Sequence, residues 1–221
     1  MNPALRLRRS IADADCKTSI ASRARERRWN TLLNQFPDWA KMHVVDLGGT
    51  VEAWRAAPVR PGHVTLVNLA DQGLVAEPWI TAVRGDACEP PAVLRGSSFD
   101  LVYSNSVIEH VGGHARRAEF AEVVRQSAPR YWVQTPNRYF PVEPHFLFPG
   151  FQFLPVKARS FLSGCWRVGW YSRPGAGTAE RVEGVLEIEL LSKTELEHYF
   201  PDSTILRERW LALTKSLIAV R

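Results

Sequence analysis

The hydrophobic positions of the chain follow two alternating periodicities between about residues 19 and 136. Helical spacing of apolar residues that ends at Pro37 predicts a first helix over residues 19–36. Short runs rich in valine, leucine and isoleucine predict buried strands at residues 44–46, 64–69, 80–83, 99–103 and 131–134. A glycine-rich turn precedes a predicted short helix over residues 51–57, and helical spacing predicts another over residues 115–127. Strands alternating with helices indicate an α/β protein built on an open, doubly wound, mostly parallel sheet.

The alternation stops in the last third of the chain. Residues 136–184 are rich in proline, glycine and aromatic residues and show no clear periodicity, which predicts an insertion or lid. Ser192 and Glu195 form a capping-box pattern, which predicts a helix over residues 192–199. Two strands at residues 204–211 and 216–220 are close enough to form an antiparallel hairpin. We therefore expect one domain over residues 19–221 that contains the insertion.

Composition narrows the class of protein. The 221 residues are 45% hydrophobic and 23% charged, a balance typical of globular proteins with a sizeable core. No apolar run reaches 18 residues, and no apolar region follows the basic residues near the start. Three cysteines lie far apart and form no Cys-x-x-Cys pair, which argues against zinc and disulfides. These features predict a cytoplasmic location.

The net charge of +5 is concentrated at the N-terminus. Residues 1–30 contain eight Lys/Arg and three Asp/Glu, so the rest of the chain is near neutral. Two interpretations follow for this segment, a contact with nucleic acid, anionic lipid or an acidic partner, or a solvated leader. No aromatic residues interleave with the first basic cluster, so we favour a flexible leader over residues 1–18.

Polar residues and glycines follow each predicted strand where it ends. Asp46, Gly48 and Gly49 follow the first strand and precede a short helix, so the backbone there can approach an anion or another ligand. The nicotinamide pattern GxGxxG is absent, since Thr50 and Ala53 occupy its later glycine positions. An ordinary strand–turn–helix corner remains the alternative for this segment.

Three further strand ends carry candidate ligands. Asn68 lies 20 residues beyond Gly48, where an acidic residue commonly binds a ribose. Asp86 with the small Ala87 follows the third strand, and a carboxylate there can accept from an adenine amino group. The fourth strand leads into Ser104-Asn105-Ser106, which suits either a helix cap or the floor of a binding site. Ligands bind at this edge in open α/β sheets, so the agreement in position favours a shared site.

These motifs, together with Val107-Ile108-Glu109-His110, resemble the class I S-adenosylmethionine-dependent methyltransferases. The similarity is greatest to the small-molecule branch with Glu-His after strand four, as in quinone-biosynthesis-like (methyltransferase type 11) enzymes. It covers about residues 40–136 and the final hairpin, and it implies a seven-stranded sheet with S-adenosyl-L-methionine as cofactor. The resemblance implies that Asp46, Gly48 and Gly49 hold the methionine end of the cofactor and that Asn68 binds the ribose. It implies further that Asp86 and Ala87 contact the adenine. The sulfonium side would be contacted by Ser104, Asn105 and Ser106.

Two departures from the family pattern keep alternatives open. The family usually has glycine at the position of Thr50 and an acid at the position of Asn68, so a binding or regulatory protein without catalysis is a second hypothesis. The basic N-terminus motivates a third, an RNA methyltransferase. The family's Asp/Asn-Pro-Pro-aromatic motif for base amino groups is absent, which disfavours methylation of such groups. Methyl transfer to a small molecule is the favoured interpretation, ahead of an oxidoreductase.

A base is needed only if the acceptor must lose a proton. His110 and His145 are the two candidates, because imidazole titrates near neutrality, and each has a purely structural alternative. His110 and His114 have a spacing seen in metal sites, but Gly112-Gly113 separates them and no third ligand is evident, so no metal is expected.

Aromatic residues of the insertion suggest where the acceptor binds. They would form a pocket for an apolar or ring-containing small molecule, or they only pack the insertion. Contact with a membrane surface through residues 148–153 ranks last, because no amphipathic helix supports it. The residues concerned are Tyr139, Phe140, Phe146, Phe148, Phe151 and Phe153.

Overall fold

Seven strands form one sheet in the order β3-β2-β1-β4-β5-β9-β8 in the computed structural model, which describes residues 20–89, 91–94 and 98–221. Strands β1 to β5 pair in parallel with one another, and β9 is antiparallel to both β5 and β8. The predicted fold class is therefore confirmed. The strands of this sheet are β1 (His43–Leu47), β2 (His63–Asn68), β3 (Ile80–Arg84), β4 (Leu101–Asn105), β5 (Tyr131–Pro136), β8 (Thr204–Trp210) and β9 (Leu213–Val220).

The helices occur largely where the sequence predicts them. The capping box of the sixth helix is present, since Ser192 accepts from the N–H of Glu195 and the Glu195 carboxylate accepts from the N–H of Ser192. The α-helices among the described residues are α1 (Ile20–Gln35), α2 (Val51–Arg55), α3 (His114–Ser127), α4 (Val156–Cys165), α5 (Thr178–Leu186) and α6 (Lys193–Tyr199). The leader predicted at residues 1–18 lies outside the described residues.

The sheet is formed by apolar runs that are buried on both faces. Along β1, Val44, Val45 and Leu47 are fully buried, and the central strands β4 and β5 bury their valines in the same way. Helix α3 contributes Phe120, and α6 contributes Leu196, to the same core. Burial on both faces explains why these strands read as continuous apolar runs rather than alternating ones.

Two compact units make up the chain. The sheet unit comprises Phe36–Asn137 and Leu191–Arg221, and the insertion unit comprises Arg138–Leu190 together with the segment that ends at Gln35. The expectation of a single domain with an insertion at residues 136–184 remains a prediction. No helix in the described part of the chain is both long and apolar enough to cross a membrane.

The insertion unit contains more regular structure than its sequence suggests. A short antiparallel pair joins β6 (Val142–Glu143) to β7 (Phe148–Pro149), and the helices α4 and α5 follow. Helix α4 buries Ser160 and Ser163, and α5 buries Gly184 beside Val185. Small residues share the inner faces of these helices with Val156, Leu162 and Val185, so the large apolar spacing that reveals a helix in sequence is weak.

Candidate functional site

The candidate site lies at the carboxyl edge of the sheet, where the strand order changes direction. Strands β2 and β3 lie on one side of β1, while β4 and β5 lie on the other. Strands β1 and β4 are direct neighbours, with Asp46 paired to Tyr103. Such a switch point opens a crevice between the loops that follow the two strands, and ligands of open α/β sheets bind there.

Gly48 and Gly49 follow β1, and both are required by the packing of the loop. Gly48 has a φ of +92°, and a Cβ atom there would lie 2.4 Å from Val107 Cγ2. A Cβ atom at Gly49 would lie 1.8 Å from Asp46 Oδ2. Any larger residue would displace the loop, so its backbone is held close to the strand ends.

Asp46 lies beneath this loop and does not face the solvent. Its side chain is buried and accepts a hydrogen bond of 2.7 Å from Trp54 Nε1. Burial raises the pKa of the Asp46 carboxyl to about 7, although the Trp54 hydrogen bond acts in the opposite direction. The predicted contact of Asp46 with the methionine end of a cofactor would therefore be indirect, through the loop that it supports.

Thr50 replaces the glycine expected by resemblance because it caps a helix. Its backbone is extended, with φ −123°, and its hydroxyl accepts a hydrogen bond from the N–H of Ala53 at the start of α2. A residue with this φ needs no glycine, and threonine is a favourable N-cap. The departure from the family pattern thus has a local structural reason.

Asn68 supports the glycine loop from the end of β2. Its Nδ2 donates to the carbonyl oxygens of Gly48, at 3.1 Å, and Gly49, at 2.9 Å, while its Oδ1 accepts from the N–H of Ala70. Both amide hydrogens are therefore engaged within the protein, and Oδ1 keeps one further acceptor position. A carboxylate could not make these two donations, which explains the amide where the family usually has an acid.

Asp86 is held at the end of β3 by an arginine from another element. Its Oδ2 accepts from Arg116 of α3, and its Oδ1 accepts from the N–H of Cys88 at 2.8 Å. The Asp86 side chain is 32% exposed, so its carboxylate oxygens retain acceptor capacity toward solvent or a ligand. Ala87, the other predicted adenine contact, is buried in the core of the sheet unit.

The three residues of the segment Ser104-Asn105-Ser106 differ in their contacts and in their exposure. Ser104 and Asn105 belong to β4, and the buried Ser104 donates to the carbonyl oxygen of Leu47 at 2.9 Å. Ser106 adopts a φ of 58° and donates to Gln134 Oε1, so Asn105 is the exposed side chain of the three. The alternative that this segment caps the following helix is wrong, because α3 begins at His114 with Gly113 as its N-cap.

Glu109 and His110 lie in the turn after β4. Glu109 is completely buried, and its Oε2 accepts from Thr135 Oγ1 at 3.0 Å. His110 is half-buried, and its backbone N–H donates to the carbonyl of Val107. The two residues therefore form part of a tight turn, and the buried Glu109 carboxylate is hydrogen-bonded to the neighbouring strand β5.

His145, the second candidate base, belongs to the insertion unit and is oriented by a carboxylate. Its Nδ1 lies 2.6 Å from Glu143 Oε1, while Glu143 Oε2 accepts from the N–H groups of His145 and Phe146. A proton held at Nδ1 by this buried carboxylate places the imidazole lone pair on Nε2. Glu143 was missed in the sequence, although its spacing of two residues from His145 was a usable signal.

The insertion unit also contains a cavity of about 340 Å³. Phe146 and Phe151 form one apolar wall of it, stacked with 4.0 Å between ring centroids. Tyr139 and Phe153 are exposed and stack on each other instead. The predicted aromatic residues thus separate into cavity-lining rings and surface rings, and Phe148 packs against the core of the insertion unit.

The carboxyl edge of the sheet exposes an apolar side chain as well as polar ones. Leu69 directly follows β2 and is 68% exposed, an apolar side chain left open at the same edge as Asp86 and Asn105. An apolar side chain and a partly exposed carboxylate at one sheet edge are the two kinds of group that an adenine requires, because it has both a flat face and an amino group. The donor set of this edge is compatible with S-adenosylmethionine.

Comparisons with known proteins show which solved structures have a similar fold. No family model matches the chain, and neither does any curated protein. Solved structures do: the N-methyltransferase NodS from Bradyrhizobium japonicum WM9, in complex with S-adenosyl-L-homocysteine, is 10% identical with a TM-score of 0.55 over 100% of this chain and 97% of that one. Magnesium protoporphyrin IX methyltransferase (ChlM) from Synechocystis PCC 6803, with bound S-adenosylhomocysteine, is 11% identical with a TM-score of 0.53 over 90% and 84%.

A third structure extends the same likeness. The S-adenosylmethionine-dependent methyltransferase from Mesorhizobium loti is 14% identical, with a TM-score of 0.53 over 87% of this chain and 96% of that chain. At such identities the likeness is one of fold, and it agrees with the strand order and the antiparallel β9. The chain therefore has the fold of the S-adenosylmethionine-dependent methyltransferases.

Proposed function

We propose that the protein is an S-adenosylmethionine-dependent methyltransferase that acts on a small-molecule acceptor. The observation that carries the proposal is the convergence of the Gly48–Gly49 loop, Asn68, Asp86 and Asn105 at the switch point of a methyltransferase sheet. The solved structures of this fold that bind S-adenosylhomocysteine support it further. S-adenosylmethionine, when bound, supplies a methyl group on a reactive sulfonium.

Each residue at the sheet edge has a task in this proposal. The half-exposed backbone of Gly48 and Gly49 would hold the methionine end, with Asp46 fixing the loop from below. Asn68 Oδ1 would accept from a ribose hydroxyl, and Asp86 would accept from the adenine amino group. The protein's contribution to the rate is then alignment of the acceptor and exclusion of water.

We assign the role of base to His145, where the acceptor must lose a proton. Support comes from Glu143, which fixes the imidazole orientation as carboxylates do in other acid–base pairs. His110 remains the second candidate. Glu143→Gln should lower kcat more than it raises KM and should alter the pH profile of kcat, whereas a purely structural Glu143 would leave the profile of the remaining activity unchanged.

Calorimetric titration tests the proposal directly. S-adenosylmethionine and S-adenosylhomocysteine should both bind, and NAD should not. Gly49→Ala should abolish this binding, because its Cβ atom collides with the buried Asp46 carboxylate. Gly113→Ala is the matched control, since a Cβ atom there meets nothing within 4 Å. Absence of binding by either sulfur compound at about 1 mM would refute the proposal.

Turnover separates the enzyme from a protein that only binds the cofactor. Transfer of radiolabelled methyl from S-adenosylmethionine to a panel of apolar and ring-containing acceptors is the expected result. Binding with no transfer across the panel would instead favour a regulatory protein. This is the specific alternative because the side chains of Asp46 and Asn68 are hydrogen-bonded within the protein.

A further inference from the structure

The cavity of the insertion unit is lined by polar as well as aromatic side chains. Its volume of about 340 Å³ falls within the usual range for small-ligand sites. Charged and polar residues line it together with Phe146 and Phe151, and they are Arg138, Glu143, Gln152, Arg159 and Glu189. The two arginines and the two glutamates in this set carry opposite charges that cancel. Which ligand the cavity can bind therefore depends on which of these side chains already have partners.

Three of these polar side chains are engaged within the unit. Arg138 donates from Nε to the carbonyl oxygen of Leu190 at 2.8 Å. The Glu143 carboxylate accepts from His145 and from the N–H of Phe146. Gln152 donates from Nε2 to the carbonyl oxygens of Arg138 and Phe140, which fixes the orientation of its amide.

Arg159 differs from them because most of its donors are unused. Among the residues that the structure describes, it makes one hydrogen bond, from Nη1 to the carbonyl oxygen of Val185 at 3.2 Å, and its buried Nε has no partner. Desolvation by burial lowers the pKa of its guanidinium, while the charges of Glu143 and Glu189 raise it. The Glu143 carboxylate forms its ion pair with His145.

The Nε of the half-buried Arg159 guanidinium is a buried donor without an acceptor, and such a group is costly unless an acceptor meets it. The planar fork of the guanidinium matches the two oxygens of a carboxylate, and the apolar residues that line the same cavity include Phe146, Phe151 and Ile188. We propose that this cavity binds a small organic acid, with its carboxylate on Arg159 and its apolar or aromatic body against Phe146 and Phe151.

This inference goes beyond the proposed function, because binding in the cavity requires no cofactor. If the organic acid is also the methyl acceptor, that part of the inference rests on the proposed function. Failure of the two is distinguishable, since titration with S-adenosylhomocysteine tests the sheet edge, and titration with an organic acid in the absence of cofactor tests the cavity.

The test uses 2-naphthoate as the probe, with 2-naphthamide as its neutral match and acetate as the carboxylate without a ring. Calorimetry on the full chain at neutral pH should give at least about tenfold tighter binding of 2-naphthoate than of either comparison compound, as expected for charge-assisted, bidentate hydrogen bonds. Equal affinity for 2-naphthamide, or no binding of 2-naphthoate up to about 10 mM, overturns the inference.

Variants identify the group responsible. Arg159→Gln should weaken 2-naphthoate binding by about tenfold or more, whereas Lys157→Gln should not change it. Lys157 is an exposed residue of the same helix, α4, and does not line the cavity, so its variant makes the same charge change elsewhere. Wild-type affinity in Arg159→Gln would show that the guanidinium is not the anchor.

A second variant keeps the proposal testable if Arg159→Gln folds poorly. Glu189 lines the cavity and acts electrostatically on Arg159, so it also repels a ligand carboxylate. Glu189→Gln should tighten 2-naphthoate binding by about threefold or more and leave 2-naphthamide binding unchanged. Binding of 2-naphthoate that is unchanged or weaker than in the wild-type protein overturns the inference.

Discussion

Replacing Asn68 with the acid that the family usually has should damage the site rather than improve it. In the wild-type protein, Asn68 Nδ2 donates to the carbonyl oxygens of Gly48 and Gly49, at 3.1 and 2.9 Å. An ionised aspartate has no hydrogen to donate, so both bonds disappear and a negative charge faces two carbonyl oxygens. The loop that follows β1 would move away from the end of β2.

The magnitude follows from these two bonds. Each contributes about 1 kcal/mol, and repulsion between the carboxylate and the carbonyl oxygens adds to the loss, so the free energy of unfolding should fall by about 2–3 kcal/mol. For a chain of this size that corresponds to a decrease in Tm of about 4–12 °C. Affinity for S-adenosylhomocysteine should fall by about tenfold or more, because the displaced loop no longer presents its backbone to the ligand.

Two measurements check this reasoning, thermal unfolding and calorimetric titration with S-adenosylhomocysteine. Asn68→Ala removes the two donations and the acceptor of the exposed Ala70 N–H bond, but it adds no charge. Because repulsion from two carbonyl oxygens outweighs one exposed hydrogen bond, it should be more stable than Asn68→Asp at pH 7. Near pH 4 a protonated aspartate regains one donor, and the difference between the variants should vanish. Asn34→Asp on the exposed side of α1 is the control and should change stability by less than about 1 kcal/mol. An Asn68→Asp variant with unchanged Tm and tighter binding would refute the argument.

Three further predictions concern groups beside the site and a helix that closes the core. The pKa of Asp46 is raised to about 7 in the folded protein, so its contribution to stability is fully present below about pH 4 and is lost as the pH rises through 7. Urea unfolding should show a loss of up to about 4 kcal/mol over that window, which Asp46→Asn removes; an equally steep dependence in the variant would contradict this origin. Thr50→Ala should cost about 1 kcal/mol, while Thr50→Gly costs only a few tenths, and equal losses in thermal unfolding would argue against the cap. Ser192→Ala should cost about 1 kcal/mol by breaking the capping box of α6, and an unchanged Tm would show that the box contributes nothing measurable.

Most of the sheet unit could be predicted from sequence because its strands bury both faces. The run of apolar residues in β1 and β5 is a direct consequence of that burial. The strand β4 was placed two residues early, since Phe99 is buried in the core without belonging to the strand. Helices α4 and α5 were missed because small residues, such as Ser160 and Gly184, face their interior.

The candidate ligands were predicted at the right edge, but the tasks of their side chains were not, and the reason lies in sequence distance. Asn68 acts on residues 19 and 20 positions upstream, and Asp86 is held by Arg116, 30 positions downstream. A strand end places a polar residue at this edge whether the side chain faces a ligand or supports the loop, so a one-dimensional pattern cannot separate the two tasks. Glu143 and His145, only two positions apart, could have been paired from sequence. It follows that a family residue restored at position 68 must be judged by the carbonyl oxygens that it faces, because their hydrogen-bonding need, and not the family pattern, determines which side chain fits there.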